Sequence, residues 1–219
     1  MRKPWPVPVL GVLLAAVATT NLSCAVAAWV AAQFGPQEKV AALYAPPEGK
    51  KILVFVDDIL NPVSYEPIKI ELSRRLNQIF VEENVADEAV SYDRLADLIR
   101  ATPQFNRLAV SEVGRKLGAD IVLYVHIDAF SLRDPASDEF WRGRLEATVR
   151  MTDVQTGRLW PRDREAGYRM DEVETESTPR TSDTTADELT QVLAAMMADR
   201  IAKLFYDHER PYQGAWGSD

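Results

Sequence analysis

Few residues in this chain could do chemistry. Asp57 and Asp58 follow the apolar run KILVFV, and paired acids at the C-terminal end of a strand can bind a divalent cation or accept a phosphoryl group. Successive side chains on a strand point to opposite faces, so the two carboxylates converge on one ion only if the chain turns between them. Asp120, Asp128 and Lys116 are conceivable partners for such a site. Of the two histidines, His126 is flanked by Val125 and Ile127 and reads as a satisfied histidine of the core or a sheet face, while His208 lies near the C-terminus and needs no role. Separated histidines do not make the His, Cys and carboxylate cluster a metal requires. The sequence has no Gly-x-Ser-x-Gly elbow and no glycine-rich phosphate loop. Its single cysteine, Cys24, excludes an internal disulfide and any two-cysteine zinc site. The expectation is a protein with no catalytic residue, no metal and no cofactor.

Arg142, Arg144 and Arg150 alternate along one stretch with Glu146 among them. They read either as a cross-strand ion-pair ladder or as a binding surface for an anionic partner such as a lipid headgroup or peptidoglycan. The net charge of −8 argues against nucleic acid, which needs clustered cations to neutralise phosphates. At 219 residues and 47% hydrophobic content, the chain can bury one core of ordinary size.

The N-terminus sets the compartment. Arg2 and Lys3 precede an apolar segment over residues 7–18, and Asn21-Leu22-Ser23-Cys24 follows. This resembles a bacterial lipoprotein signal, which implies cleavage after residue 23 and a lipid, palmitate included, on Cys24. Asn21 and Leu22 depart from the usual order, in which leucine stands further upstream of the cysteine. Residues 7–34 are also long enough to span a bilayer, for which about 20 apolar residues suffice. Plain secretory cleavage near Ala25-Val26-Ala27 is the third possibility. All three export the remainder. Ala25 in place of aspartate after the cysteine favours the outer membrane.

Residues 24–50, with Pro46-Pro47 and Gly49, read as a membrane-proximal tether. A buried-type strand covers 51–56. A helix is expected over 67–85, opened by Pro67, with Ile68, Leu72, Leu76, Ile79 and Phe80 as its apolar stripe. A short strand near 88–90 follows, then a helix over 92–101 capped by Ser91, with Leu95, Leu98 and Ile99 inward and Thr102-Pro103 as its stop. Val110, Val113 and Leu117 share one face of a third helix that Gly118 ends. Residues 121–130 are continuously apolar and β-branched, as suits a central strand covered by helices. Residues 140–154 alternate strictly, with Leu145, Ala147, Val149 and Met151 on one side. DVQTG turns the chain at 153–157, and another strand runs to 171 with Pro161 breaking it. Residues 172–183 read as a polar, mobile loop. Thr185 and Glu188 form a capping-box pattern for a last helix over 186–205, with Leu189, Val192, Leu193, Met196, Ile201, Leu204 and Phe205 as its stripe. Residues 207–219 read as a flexible tail. The predicted class is α/β (α+β): one domain over 51–206, with a mixed, largely antiparallel sheet of four to five strands and helices packed on it.

The passage from Gly114 to Val125 (GRKLGADIVLYV) and the turn from Asp153 to Trp160 (DVQTGRLW) resemble envelope lipoprotein domains of the TolB-N-terminal/CsgG/LpoB-like group, closest to planctomycete-type lipoproteins. Tyr124 stands where many of these domains place glycine. The resemblance covers about residues 51–205. It implies a non-catalytic binding or assembly accessory, lipid-tethered at Cys24 to a bacterial envelope membrane, facing the periplasm and working with an envelope protein partner. Two other readings stay open: an envelope enzyme or metal-binding protein using Asp57 and Asp58, and a lipid or glycan binder.

Overall fold

The structure, a computed structural model, describes residues 37–58, 65–180 and 185–211. Cys24, Trp5, Trp29 and Trp216 lie outside the described residues, as do the leader and any anchor. In chain order the elements are β1 (Gln37–Val40), β2 (Lys51–Asp57), α1 (Pro67–Glu82), β3 (Glu88–Val90), α2 (Tyr92–Ala101), a 3-10 turn (Phe105–Arg107), α3 (Val110–Leu117), β4 (Ile121–Asp134), β5 (Ser137–Asp153), β6 (Gly157–Trp160), β7 (Tyr168–Arg169), β8 (Val173–Glu174), β9 (Thr178–Pro179), α4 (Ala186–Ala202) and β10 (His208–Pro211). The described residues fall into two units, 42–206 and a smaller one of 37–41 with 207–211.

In the larger unit the order across the sheet is β3-β2-β4-β5-β6, with β7, β8 and β9 also paired to β5. Strand β2 runs parallel to β3 and β4, and β4 to β5 is antiparallel. Among the described residues the sheet has eight strands, more than the four to five expected. The excess has a simple cause. Strand β5 is 17 residues long, and β6, β7, β8 and β9 take turns along its free edge, so the sheet is only five strand positions wide. The stretch expected to be a mobile polar loop therefore contains β8 and β9. Val173 anchors it, fully buried between Glu172 and Glu174.

Helices α1 and α4 cover one face of this sheet. Ile52, Val54 and Val56 of β2, Leu123, Val125 and Ile127 of β4, and Leu145, Ala147, Val149 and Met151 of β5 form that face. Each buried valine, leucine, isoleucine or methionine there contributes about 1.5–3 kcal/mol. Helix α1 meets the face through Ile68, Leu72, Leu76 and Phe80, and Ser73 in the same stripe donates to the Val54 carbonyl. Helix α4 starts at the expected capping box, Thr185 with Glu188. It buries Leu189, Leu193, Met197 and Ile201 together with Ala194, Ala198 and Ala202, while Val192, expected inward, is 48% exposed. The alanines let the helix approach closely. So does Gly143 on β5, where a Cβ would lie 2.7 Å from Leu193 Cδ1.

Helices α2 and α3 cover only part of the opposite face, over Leu53, Phe55 and Val122. Leu95 is the buried anchor of α2, and Ile99, expected inward, is 39% exposed. Gly114 lets α3 sit tightly on the strands, since a Cβ there would lie 2.5 Å from Val122 Cγ2 and 2.8 Å from Val154 Cγ2. Gly118 ends the helix in the left-handed conformation, φ 71°.

The smaller unit contains a two-stranded antiparallel ribbon of β1 and β10, with Val40 opposite His208 and Glu38 ion-paired to Arg210 at 2.9 Å. These segments were expected to be tether and frayed tail. Both are polar, so no apolar alternation marks them, and backbone pairing makes them strands. Among the described residues no helix is long and apolar enough to cross a membrane.

Candidate functional site

The second sheet face changes character along β4 and β5. Beyond Phe55 and Val122 it carries Tyr124, His126 and Asp128 on β4 and Glu146, Thr148, Arg150 and Thr152 on β5. In register, Tyr124 lies opposite Arg150 and His126 opposite Thr148, while Asp57 of β2 flanks His126 on the other side. A bulge between Ile127 and Ala129 follows. It keeps Asp128 on the polar face and moves the inward phase of β4 from Ile127 to Phe130 and Leu132, which pack on the first core.

Asp57 is buried, and both its oxygens are engaged. Oδ2 accepts a 2.6 Å hydrogen bond from the Tyr124 hydroxyl, and Oδ1 accepts one from the Asp58 backbone N–H. Burial, and then this bond to the Asp57 carboxylate, push the Tyr124 phenol well above its ordinary range. Asp58 turns the other way, to Lys69 Nζ on α1 at 3.3 Å. Burial works against the charge on Lys69, but Glu66 and Asp58 beside it hold its pKa above the ordinary value. Burial and a bond to Glu66 likewise raise the Tyr92 phenol. The two acids thus serve different networks. Asp120 accepts from the Lys51 backbone N–H at the start of β2, far along the strands from Asp57. Among the described residues no group of three or more potential ligands could hold a metal.

The three arginines separate into two kinds. Arg142 pairs with Glu174 at 2.6 Å, and Arg144 pairs with Glu172 and with Glu174. Arg169 of β7 closes the ladder on Glu146 at 2.6 Å. The Arg144 guanidinium holds the Glu172 carboxyl well below the usual carboxylate range. Arg150 belongs to none of this. Its guanidinium lies 4.3 Å from the centre of the Tyr124 ring.

His126 departs from the satisfied histidine expected from its neighbours. It lies on the sheet face, is only 8% exposed, and stacks parallel to Tyr124, yet among the described residues neither ring nitrogen has a hydrogen-bond partner. Clefts open around these residues. One of about 450 Å³ runs from Phe55, Asp57 and Tyr124 past Arg150 to the N-terminus of α3. A second, of about 380 Å³, lies over Asp58, Lys69 and Tyr92. A third, of about 260 Å³, is lined by Tyr124, His126, Asp128, Thr148, Arg150 and Ala166. The sequence offers Arg150, with Arg142 and Arg144, as part of an ion-pair ladder or a binding surface, but gives no sign that Tyr124 and His126 lie beside it, because their contacts are set by strand register. Trp141 and Trp160 pack within the domain: Arg180 covers Trp141, and Trp160 is buried against Tyr168 and Phe205.

No protein-family model matches the chain, and no curated protein sequence does. Solved structures resemble it at low identity. A PelC dodecamer subunit from Paraburkholderia phytofirmans is 12% identical, with TM-score 0.38, over 78% of this chain and 99% of that one. A lipoprotein from Neisseria meningitidis is 12% identical, with TM-score 0.40, over 71% and 99%. TolB from Acinetobacter baumannii is 12% identical, with TM-score 0.29, over 77% of this chain and 31% of that one.

Proposed function

We propose that this chain is a lipid-anchored protein of the bacterial envelope whose domain faces the periplasm and acts by binding, as an accessory to an envelope partner, without catalysing a reaction. The observation that carries the reading is the polar β4–β5 face. It presents Tyr124, Arg150 and an unbonded His126 where α2 and α3 stop covering the sheet. The divergence of Asp57 and Asp58 into separate networks supports binding over metal-assisted chemistry. The lone Cys24 after an apolar segment supports the tether. A tether raises the local concentration of the domain at the membrane, which turns weak contacts into usable ones. The lipid is palmitate-type and the outer membrane is the favoured site, because Ala25 follows the cysteine.

A photo-crosslinking amino acid at Ala129, exposed on the polar face, tests this in intact envelopes against the same probe at Arg74 on α1. A discrete adduct from Ala129 and none from Arg74 is the expected result. Equal labelling from both positions would contradict it. A second reading, in which the face takes a small ligand, is favoured by the cleft of about 450 Å³, a size typical of ligand sites.

A further inference from the structure

We propose that the β4–β5 face binds a small oxyanion, a carboxylate or phosphate group, between Arg150 and His126. The inference rests on the reading of this face as the binding face. Two sets of donors on this face have no hydrogen-bond partner among the described residues. A neutral imidazole always carries one N–H donor and one acceptor, and buried polar groups are ordinarily partnered. His126 is 8% exposed and, among the described residues, has neither nitrogen bonded; Asp128 Oδ1, at 3.9 Å from Nε2, is beyond hydrogen-bond reach. Its ring lines the cleft of about 260 Å³, so a ligand entering that cleft meets it.

Arg150 lines the same cleft. Its neighbours Arg142, Arg144 and Arg169 all carry carboxylate partners, whereas Arg150 makes no hydrogen bond or ion pair among the described residues. Its position over Tyr124 fixes the guanidinium by a cation–π contact, which leaves the N–H fork free for a planar or tetrahedral oxyanion. Arg150 and His126 are diagonal neighbours in the β4–β5 register, and the Tyr124 ring, parallel to the imidazole at 6.5 Å, braces both.

The surrounding carboxylates set the limits of the site. Asp57 is held by Tyr124, and Asp128 accepts from Thr148 at 2.7 Å, so each spends an oxygen on a hydroxyl. Their charge opposes any anion and a polyanion most, which limits the site to one small oxyanion held directly against the two donors. The adjoining cleft of about 450 Å³, which shares Tyr124 and Arg150, has room for the remainder of a larger ligand.

With only two histidines, the imidazole nitrogen signals of the uniformly ¹⁵N-labelled full chain give a direct reading. The chain is held in neutral detergent and titrated separately with inorganic phosphate, with acetate and with phosphatidylglycerol added to the micelles. Phosphate or acetate is expected to move the His126 signals saturably and leave those of His208 in place. Arg150→Gln should weaken this binding at least about tenfold. Arg150→Lys, which keeps the charge and loses the fork, should weaken it less, and Arg74→Gln on α1 should not change it. A His126 response to phosphatidylglycerol alone would assign the oxyanion to a lipid headgroup. No saturable response to any of the three, or one indifferent to Arg150→Gln, would overturn the proposal. If the Ala129 adduct survived that result, the binding face would stand without the oxyanion.

Discussion

Replacing Tyr124 with phenylalanine removes one hydroxyl and little else. The ring keeps its edge contact with Phe55 at 5.4 Å and its place beneath Arg150, so packing is preserved. The loss is the 2.6 Å hydrogen bond to Asp57, a carboxylate only 7% exposed. A hydrogen bond to a charged group is worth about 1.5–3 kcal/mol, and leaving the acceptor buried costs at the upper end of that range. Asp57 Oδ1 keeps the Asp58 N–H, and the adjoining cleft admits water to Oδ2, which places the expected loss near the lower end, about 1.5–2 kcal/mol. Urea unfolding of the full chain in detergent, followed by tryptophan fluorescence, measures it. The informative form is a cycle with Asp57→Asn, and a coupling of about 1 kcal/mol between the two positions is expected. The pH dependence adds a second check. Tyr124 is held neutral in the fold, so its contribution is complete below the ordinary tyrosine pKa of 10 and is lost as pH rises beyond it. The gap between wild type and Tyr124→Phe should therefore narrow only above pH 10. Effects that add to within about 0.5 kcal/mol, with no narrowing at high pH, would refute the Asp57–Tyr124 linkage.

Gly114→Ala should destabilise the domain by about 1–3 kcal/mol despite the better helix propensity of alanine, because its Cβ would press on Val122 and Val154; thermal unfolding decides. Thr185→Ala removes the capping box of α4 and should cost about 1 kcal/mol in the same assay. Glu172 has its pKa lowered from 4.5 to about 2 by Arg144, so its contribution is present above pH 4.5 and lost as pH falls toward 2. Acid unfolding of Glu172→Gln should accordingly converge with wild type over that interval, and curves that stay parallel would remove Glu172 from the ladder.

Local signals in the sequence located most elements. The bounds of α2, Tyr92–Ala101, match the expected helix, with Ser91 at the N-cap position though its side chain makes no cap hydrogen bond, and the Gly118 stop and the alternation of Leu145, Ala147, Val149 and Met151 hold in the fold. What was missed depends on distant partners. Strands β8 and β9 exist because β5 offers a long edge, and a single buried Val173 among acids creates no period. The expected stripe of α4 holds except at Val192, and it leaves out Ala194, Ala198 and Ala202, which complete the buried face, because alanine is a weak apolar marker. The bulge at Asp128 shifts the phase of β4 within a run apolar enough to hide the change. For the same reason the site was legible only in part. Arg150 stood out by type, whereas the bond between Tyr124 and Asp57 and the unsatisfied state of His126 depend on the register of three strands.

The most direct test of the account is the intact mass of the full chain extracted from membranes, measured beside Cys24→Ala. The account predicts a mature protein beginning at Cys24 with acyl chains attached, and a variant that lacks them. A mass retaining residues 1–23, or one without acyl chains, would contradict the lipid anchor.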